Sequence, residues 1–451
     1  MITPPGEGGL GAVRIAGPKS HKMVLKIFRP AQADLKEYVP FHLYYGYIIG
    51  IKNEIIDEVT MVEMPEGHSY TGQKQVEIFC HGGVFVLRRI TEEIFKYGIR
   101  PAEPGEFTRR AFLAGRIDLT KAEAVADMVA SKTEYAYNAA KKNLMGQFSE
   151  YIDNLRNKII ELLVEIEAAI DYPEEEIETA AENKLIEQLQ IVIDAIGSLT
   201  DSYRSGKMIR EGFKIAIAGR TNAGKSSLFN LLLNQNRAIV GPIPGTTRDY
   251  LTEWIELKGI AVSLTDTAGL RGMGGQIEKA GQKSAKEIMA DSDLTIWIVD
   301  ITRKNWADEI KKDIKNLGTE RIVLLYNKID KFKKINLKNI WHSSEVLRPL
   351  FFSCITRAGL KDLRAELIRQ IYQKMPDLTD RLVVTSERHK KKLDCALNCL
   401  RKTKRNMQKG VSPELIAFEL RLAVDEIDEV TGRVYNEQIL DRIFSRFCIG
   451  K

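Results

Sequence analysis

Long apolar runs, a paired set of cysteines and a strong charge of one sign are all missing from this sequence. No apolar run approaches the length of a membrane span, and no hydrophobic segment with a cleavage site opens the chain. The expectation is a cytoplasmic protein with no stable membrane insertion. The five cysteines, Cys80, Cys354, Cys395, Cys399 and Cys448, are odd in number, scattered and without zinc-type spacing, which reads as free thiols in a reducing compartment. Cys395 and Cys399, at i and i+4, read as core residues on one face of a helix. A net charge of +6 on 451 residues permits nucleic-acid binding without arguing for it. Gly146 is the only glycine or proline between residues 119 and 170, so that stretch is expected to be helical.

What is present is organised around Gly219-Arg220-Thr221-Asn222-Ala223-Gly224-Lys225-Ser226, a G-x-x-x-x-G-K-[ST] match. It follows the apolar run 213–218, a buried-strand pattern, and precedes Ser227-Leu228-Phe229, the opening of a helix. The glycines let backbone N–H groups approach phosphates, with the helix N-terminus behind them. Lys225 offers a point charge to the β/γ-phosphates, and the Ser226 hydroxyl offers a ligand to Mg²⁺. Three further pieces follow in order. Asp266-Thr267-Ala268-Gly269 ends a second apolar run, placing a carboxylate for Mg²⁺ and a glycine N–H for the γ-phosphate. Asn327-Lys328-Ile329-Asp330 ends a third, and Asp330 can accept from both N1–H and the 2-amino group of guanine. Gly245-Thr246-Thr247-Arg248-Asp249 lies between them, with Thr247 able to close the Mg²⁺ shell. Ser353-Cys354 is a candidate for the loop that buttresses the base. Together these imply a GTP-binding domain. Leu270 stands where the Ras class carries a water-orienting glutamine, so hydrolysis needs a polar group from elsewhere.

The remainder divides by pattern. Residues 1–115 alternate in short β-rich runs (13–15, 45–51, 55–62, 76–80) with helices expected at about 19–29 and 83–97, an α+β domain. From Leu119 the pattern is helical, opened by a capping box at Thr120-x-x-Glu123, broken at Asp171-Tyr172-Pro173 and resumed at about 180–205. Residues 208–372 form the GTPase region. Helical pattern returns at about 385–409, from Ser412 as N-cap with Pro413 at the first position, and near 436–445. The expected architecture is therefore multidomain: an α+β N-terminal domain, and an all-helical domain (116–207 and 373–451) into which a Ras-like α/β domain is inserted. Between Ser386 and Lys409, nine Lys or Arg face two acidic residues; such a run is either a solvated face or a phosphate contact. The chain ends Phe447-Cys448-Ile449-Gly450-Lys451, either a mobile tail carrying a nucleophilic or redox-sensitive thiol or simply a disordered one.

With this terminus, the Gly-Thr-Thr-Arg-Asp loop and the split helical domain in view, the chain resembles the MnmE (TrmE) family of tRNA modification GTPases over essentially its whole length. The resemblance implies a homodimer built on N-terminal domains that bind a one-carbon tetrahydrofolate, 5-formyl or 5,10-methylene. It implies a partner of the MnmG (GidA) type, which carries the FAD, and tRNA as substrate, modified at C5 of the wobble uridine to an aminomethyl or carboxymethylaminomethyl form. In that family K⁺ takes the place of an arginine finger. Carried over, Asn222, Thr246 and backbone groups of Gly241 and Ile243 would hold K⁺, and Ser226 and Thr247 would hold Mg²⁺. Glu278 matches the family glutamate that positions water. Arg14, Glu77, Arg116 and Lys451 match folate-contacting positions, and Cys448 the cysteine of the modification chemistry. The nucleotide set is Asn222, Ala223, Gly224, Lys225, Ser226, Ser227, Gly245, Thr246, Thr247, Asp266, Thr267, Ala268, Gly269, Asn327, Lys328, Asp330, Ser353 and Cys354. Two departures stand out: the strand usual ahead of Thr3-Pro4-Pro5-Gly6 is missing, and the loop Tyr70-Thr71-Gly72-Gln73-Lys74 lacks the family's acidic pair. The rival reading is a ribosome-assembly GTPase of the Era or Der type, for which an RNA-binding KH domain or a second GTPase domain would be expected.

Overall fold

The computed structural model describes all residues except 5, 33, 34, 36, 172–178, 236–251, 268–285, 316–320, 333–348 and 376–380. The chain forms two compact units: Met1–Ala130, Ala140–Ile196 and Lys391–Lys451 make one, and Ser131–Ala139 with Gly197–Lys390 make the other.

The first unit opens with an antiparallel sheet of β1 (Gly11–Ala16), β2 (Phe28–Pro30), β3 (Leu43–Ile49), β4 (Ile55–Met64) and β5 (Gln75–Cys80), in the order β1-β5-β4-β3-β2. Its buried face, including Val13, Ile15, Ile48, Met61, Val76 and Ile78, packs against Leu87, Ile90 and Ile94 of the helix Val84–Phe95. The helix expected over 19–29 is shorter. It covers only Ser20–Val24, and Phe28–Pro30 instead pairs with β3. Gly46 makes this pairing possible, because a Cβ there would sit 2.3 Å from the Arg29 carbonyl.

The helical part of this unit contains Leu119–Ala130, Gln147–Asp171, Pro413–Thr431 and Glu437–Phe444. The helical stretch from 119 is not one rod: it breaks between Ala130 and Glu134, and again at Gly146, whose φ of 90° is left-handed. Helices Gln147–Asp171 and Pro413–Thr431 are clamped by a two-pronged pair, Arg156 Nε to Asp428 Oδ1 at 2.5 Å and Nη2 to Oδ2 at 3.1 Å. Leu162, Ile166, Leu185, Leu189, Thr403, Met407 and Leu420 meet in the bundle interior.

The capping box expected at Thr120 is replaced by another cap. Asp118 Oδ1 accepts from the Lys121 N–H at 2.8 Å, whereas the buried Thr120 hydroxyl pairs with Ser149 Oγ at 2.6 Å. Asp118 immediately precedes the helix, so its carboxylate reaches the Lys121 N–H and lies at the positive end of the helix. Cys395 is exposed and Cys399 half-buried, so they are not the core face expected; Leu393, Ala396, Leu397, Leu400 and Met407 fill it.

The second unit is a six-stranded sheet: β6 (Phe213–Gly219), β7 (Thr252–Leu257), β8 (Ile260–Asp266), β9 (Leu294–Asp300), β10 (Ile322–Asn327) and β11 (Leu350–Phe351). The order is β11-β10-β9-β6-β8-β7, parallel throughout except for β7 on β8. Parallel strands are covered on both faces, which is why β10 is buried at every position. Residues 131–139 lie on this unit. Lys132 Nζ sits 3.1 Å from the centre of the Trp254 ring, and Tyr135 covers Gly259, where a Cβ would come within 2.5 Å of the ring. Burial pushes the Lys132 ammonium down to about 8, while the indole face attracts its charged form and opposes that shift.

Asp118→Ala is expected to cost about 1 kcal/mol through loss of the cap, read as a lower melting temperature with GTP hydrolysis unchanged; an unaltered melt would assign the helix start to another group.

Candidate nucleotide site and the docked C-terminal tail

The strand register assembles the first site. In the parallel sheet Ile217 lies opposite Asp266, and Asp300 lies opposite Asn327, so the carboxyl ends of β6, β8, β9 and β10 converge on one edge. The loop after β6 needs left-handed backbone at Asn222 (φ 61°) and Gly224 (φ 109°) before the helix Lys225–Gln235 begins. Lys225, only 9% exposed, spans this loop, its ammonium donating to the carbonyls of Gly219 (3.0 Å) and Arg220 (2.9 Å). Ser226 Oγ donates to Asp266 Oδ2 at 2.8 Å. A hydroxyl and a carboxylate oxygen in contact are the hard donors a small divalent cation requires, so the pair fits Mg²⁺. Thr267 Oγ1 donates to the Ile217 carbonyl, tying the end of β8 to β6.

The base side is built on Asn327, 2% exposed. Its Nδ2 donates to the Ala223 carbonyl at 2.8 Å and its Oδ1 accepts from the Cys354 N–H at 3.3 Å. Lys328 donates to the Asn222 carbonyl (2.9 Å) and to Asp300 Oδ2 (2.6 Å). Asp330 Oδ1 accepts from Ser353 Oγ at 2.5 Å, which fixes the carboxylate plane and leaves acceptor capacity on its open edge. Burial pushes the Cys354 thiol up, so it packs here as a neutral thiol beside the Gly224 carbonyl. The structure thus brings Asn222, Ala223, Gly224, Lys225, Ser226, Asp266, Thr267, Asn327, Lys328, Asp330, Ser353 and Cys354 to one edge, with Ser227 exposed in the first turn of the helix. Gly241, Ile243, Gly245, Thr246, Thr247, Ala268, Gly269, Leu270 and Glu278 lie outside the described residues.

Two participants were not found from sequence. Asp300 holds Lys328; burial alone would raise its pKa, but the Lys328 ammonium and the Thr302 hydroxyl and N–H hold it below the usual carboxylate value. Its signal was there, an apolar run ending in aspartate like that at Asp266. Arg220 pairs with Glu309 (2.9 Å) and Asp313 (3.0 Å), bracing the outer side of the loop, and nothing in the local sequence marks those partners.

The second site lies in the other unit. Arg14 and Glu77 face each other in the β1–β5 register, and Arg14 Nε donates to Glu77 Oε1 at 2.8 Å. The guanidinium lies over the rings of Tyr70 (5.1 Å) and Phe107 (5.5 Å), and Gln75 Nε2 also donates to Glu77. Arg116 donates to the Gly67 carbonyl at 2.5 Å. The terminal segment is docked on the rest of the unit rather than extending from it. Phe447 is buried with Phe112, Leu119, Leu440 and Phe444, and the Phe107 N–H donates to the Lys451 carbonyl at 3.1 Å. Gly450 (φ 99°) packs so closely that a Cβ would be 2.1 Å from the Met1 carbonyl. Cys448 stays exposed. Arginine, carboxylate and two aromatic faces within one residue of the docked tail fit a flat, polar-edged heterocycle such as a folate.

The basic run is partly consumed by the bundle. Lys392 bridges Glu426 (3.0 Å) and Glu429 (2.7 Å), Lys402 pairs with Glu419, and Lys404 donates to Gln190 at 2.5 Å. Arg401, Arg405 and Lys409 remain exposed.

A profile described as the MnmE helical domain matches residues 119–448, and one described as the GTP-binding protein TrmE N-terminus matches residues 1–116. The tRNA modification GTPase MnmE of Natranaerobius thermophilus is 39% identical over 452 residues, covering 100% of this chain and 98% of that relative. Those of Clostridioides difficile and Aquifex aeolicus are 38% and 36% identical, again over 100% of this chain and 98% of each relative.

Gly224→Ala is expected to weaken GDP binding by a factor on the order of 10², measured with a fluorescent GDP analogue. The added Cβ would lie 2.3 Å from Asn327 Nδ2, and φ of +109° is strained for alanine. Binding within a few-fold of the parent would show that the loop and Asn327 can separate without cost.

Proposed function

Belonging to the family of tRNA modification GTPases named MnmE, the chain is a GTP hydrolase, and we propose that its hydrolysis cycle drives modification of the wobble uridine at C5 in certain tRNAs. The one-carbon unit comes from a 5-formyl or 5,10-methylene tetrahydrofolate, and the working assembly is a cytoplasmic homodimer with an FAD-dependent partner of the MnmG type. Residues 1–115 bind folate and dimerise, 116–207 and 373–451 form the helical domain, and 208–372 form the GTPase domain. No helix among the described residues is long and apolar enough to cross a membrane.

The observation that supports the modification reading is the docking of the tail. The Lys451 carbonyl is bound by the N–H of Phe107, the residue whose ring lies against Arg14, and Cys448 is left exposed three residues away in sequence. An exposed thiol on a tail that is tied at Lys451 to the residue stacked on Arg14 suits chemistry on a folate-derived carbon. Arg14, Glu77, Arg116 and Lys451 hold the folate; when bound, that cofactor supplies the one-carbon unit. Cys448 serves as the nucleophile. An Era or Der type reading would need a KH or second GTPase domain, whereas residues 1–116 match the TrmE N-terminus.

In the GTPase domain, Lys225 gives up its two carbonyl partners to meet the β/γ-phosphates, and the backbone of 222–227 cradles them. Ser226 and Thr247 hold Mg²⁺, with Asp266 behind Ser226 orienting its hydroxyl. The metal, when bound, neutralises charge across the β- and γ-phosphates. Asp330, held in plane by Ser353, accepts from N1–H and the 2-amino group of guanine. Asn222, Thr246 and the backbones of Gly241 and Ile243 would hold K⁺, whose charge would stand in for an arginine finger. Glu278 orients the attacking water in place of the glutamine that Leu270 displaces, the Gly269 N–H serves the γ-phosphate, and Gly245, Thr267 and Ala268 complete the nucleotide-binding set.

Cys448→Ser is expected to leave GTP hydrolysis intact while the modified uridine disappears from tRNA, measured by mass spectrometry of nucleosides from cells carrying only that variant. Normal levels of modified uridine would remove the thiol from the chemistry.

Replacing Na⁺ with K⁺ is expected to raise the hydrolysis rate of the parent chain well above that in Na⁺, the charge standing in for a finger worth ~10³-fold or more, and Asn222→Ala is expected to abolish the difference. Equal parental rates in the two salts would defeat the cation assignment.

A further inference from the structure

The outer side of the phosphate loop is gripped by a network of four charged side chains. Arg220 commits its whole fork to the helix Trp306–Lys315. Its Nε donates to Asp313 Oδ2 at 3.0 Å, its Nη2 to Oδ1 at 3.2 Å, and its Nη1 lies 2.9 Å from Glu309 Oε1. Arg303, just after β9, pairs with the same Glu309 at 3.8 Å and donates to the Thr221 carbonyl at 3.4 Å. Glu309 and Asp313 are four residues apart, so both carboxylates project from one edge of the helix. A two-pronged arginine–carboxylate pair fixes direction as well as distance.

The helix that receives the fork is itself held down. Ile310 is buried with Val299, Ile301 and Leu324, and the Trp306 ring meets the buried Tyr326 ring edge-on at 5.2 Å. Arg220 thus ties the start of the phosphate loop to a fixed element that carries none of the nucleotide residues.

The loop has a second anchor, and that one is given up on binding. The Lys225 ammonium holds the Gly219 and Arg220 carbonyls at 3.0 and 2.9 Å, and both bonds are lost when it turns to the β/γ-phosphates. The later half of the loop keeps its ties, with Lys328 on the Asn222 carbonyl and Asn327 on the Ala223 carbonyl. The earlier half does not. Its Arg220 carbonyl retains the Ala223 N–H at 3.3 Å, and the rest of the restraint falls on the Arg220 fork and the long Arg303 contact.

We propose that the brace of Arg220, Asp313 and Glu309 is a positioning device for the loaded state, slowing release of guanine nucleotide by holding the start of the phosphate loop once Lys225 has left it. The inference rests on the assignment of Lys225 to the phosphates. A brace that favoured the empty and loaded loops equally would add stability and leave affinity alone. Only a difference between the two states changes release.

The test is stopped-flow release of a fluorescent GDP analogue from the full chain, alongside melting curves with and without GDP. Asp313→Ala is expected to speed release about five-fold, the upper end for a partly exposed ion pair. Its nucleotide-free melting temperature should match the parent's, while the rise produced by GDP should shrink. Single-turnover GTP hydrolysis in that variant should stay within about two-fold of the parent, because Asp313 touches no reacting group. Arg220→Lys keeps the charge and loses the fork, so its release rate should fall between those of the parent and Arg220→Ala. Adding Asp313→Ala to Arg220→Ala should change release no further, since either substitution removes the pair. Parental release rates in both Asp313→Ala and Arg220→Ala would overturn the brace. So would a nucleotide-free melt lowered as much as the GDP-bound one. Lys225→Ala binding GDP as tightly as the parent would overturn the Lys225 assignment and the inference with it. Should the alanine variants not fold, Arg220→Lys decides, and parental release in it would overturn the proposal.

Discussion

One buried amide holds the nucleotide site together. Asn327 donates to the Ala223 carbonyl and accepts from the Cys354 N–H, so a single side chain ties the phosphate loop to the loop beneath the base. It can do so only because Gly224 has no Cβ to collide with it. In a buried place, an amide with both ends bonded is rigid, and losing either partner would leave an unsatisfied polar group. The other contacts repeat this logic at lower stakes: Asp300 through Lys328 to Asn222, Ser353 to Asp330, and Asp266 to Ser226. Each joins the ends of different strands, so the site is as stiff as the parallel sheet beneath it.

The first unit solves a different problem: how to hold a chain terminus still. Phe447 is sunk into an apolar cluster, the Lys451 carbonyl is hydrogen-bonded, and Gly450 is pressed against Met1. The buried ring and the bonded carbonyl both oppose the entropy lost in ordering the last residues. Cys448 is therefore presented at a fixed place while remaining accessible. The same cluster includes Phe112, Leu119, Leu440 and Phe444.

The sequence carried much of this on its own. Strands ending in Gly219, Asp266 and Asn327 were legible because buried parallel strands read as continuous apolar runs closed by a polar residue. The phosphate loop was legible because its chemistry demands glycines, a lysine and a hydroxyl at fixed spacing. Helix existence was legible over 119–170 because Gly146 is the only glycine or proline there. Less local features were not. The helix expected at 19–29 stops at Val24 and residues 28–30 form a strand, since pairing to Gly46 is a contact with distant chain. The cap moved from Thr120 to Asp118, since Ser149, twenty-nine residues on, took the threonine hydroxyl.

What the sequence by itself determined is the set of chemical groups and their local geometry: the phosphate-loop motif, the aspartate of Asn327-Lys328-Ile329-Asp330 and the thiol near the terminus. These depend on neighbours within a few residues, and short-range stereochemistry fixes them. The tertiary structure alone decided which groups meet. The register of β1 against β5 sets Arg14 opposite Glu77, sixty-three residues away, and the packing of Phe447 brings the tail to Phe107. Neither follows from local pattern, because strand register and terminal docking are chosen by burial summed over the whole unit, and no short window of sequence contains that sum.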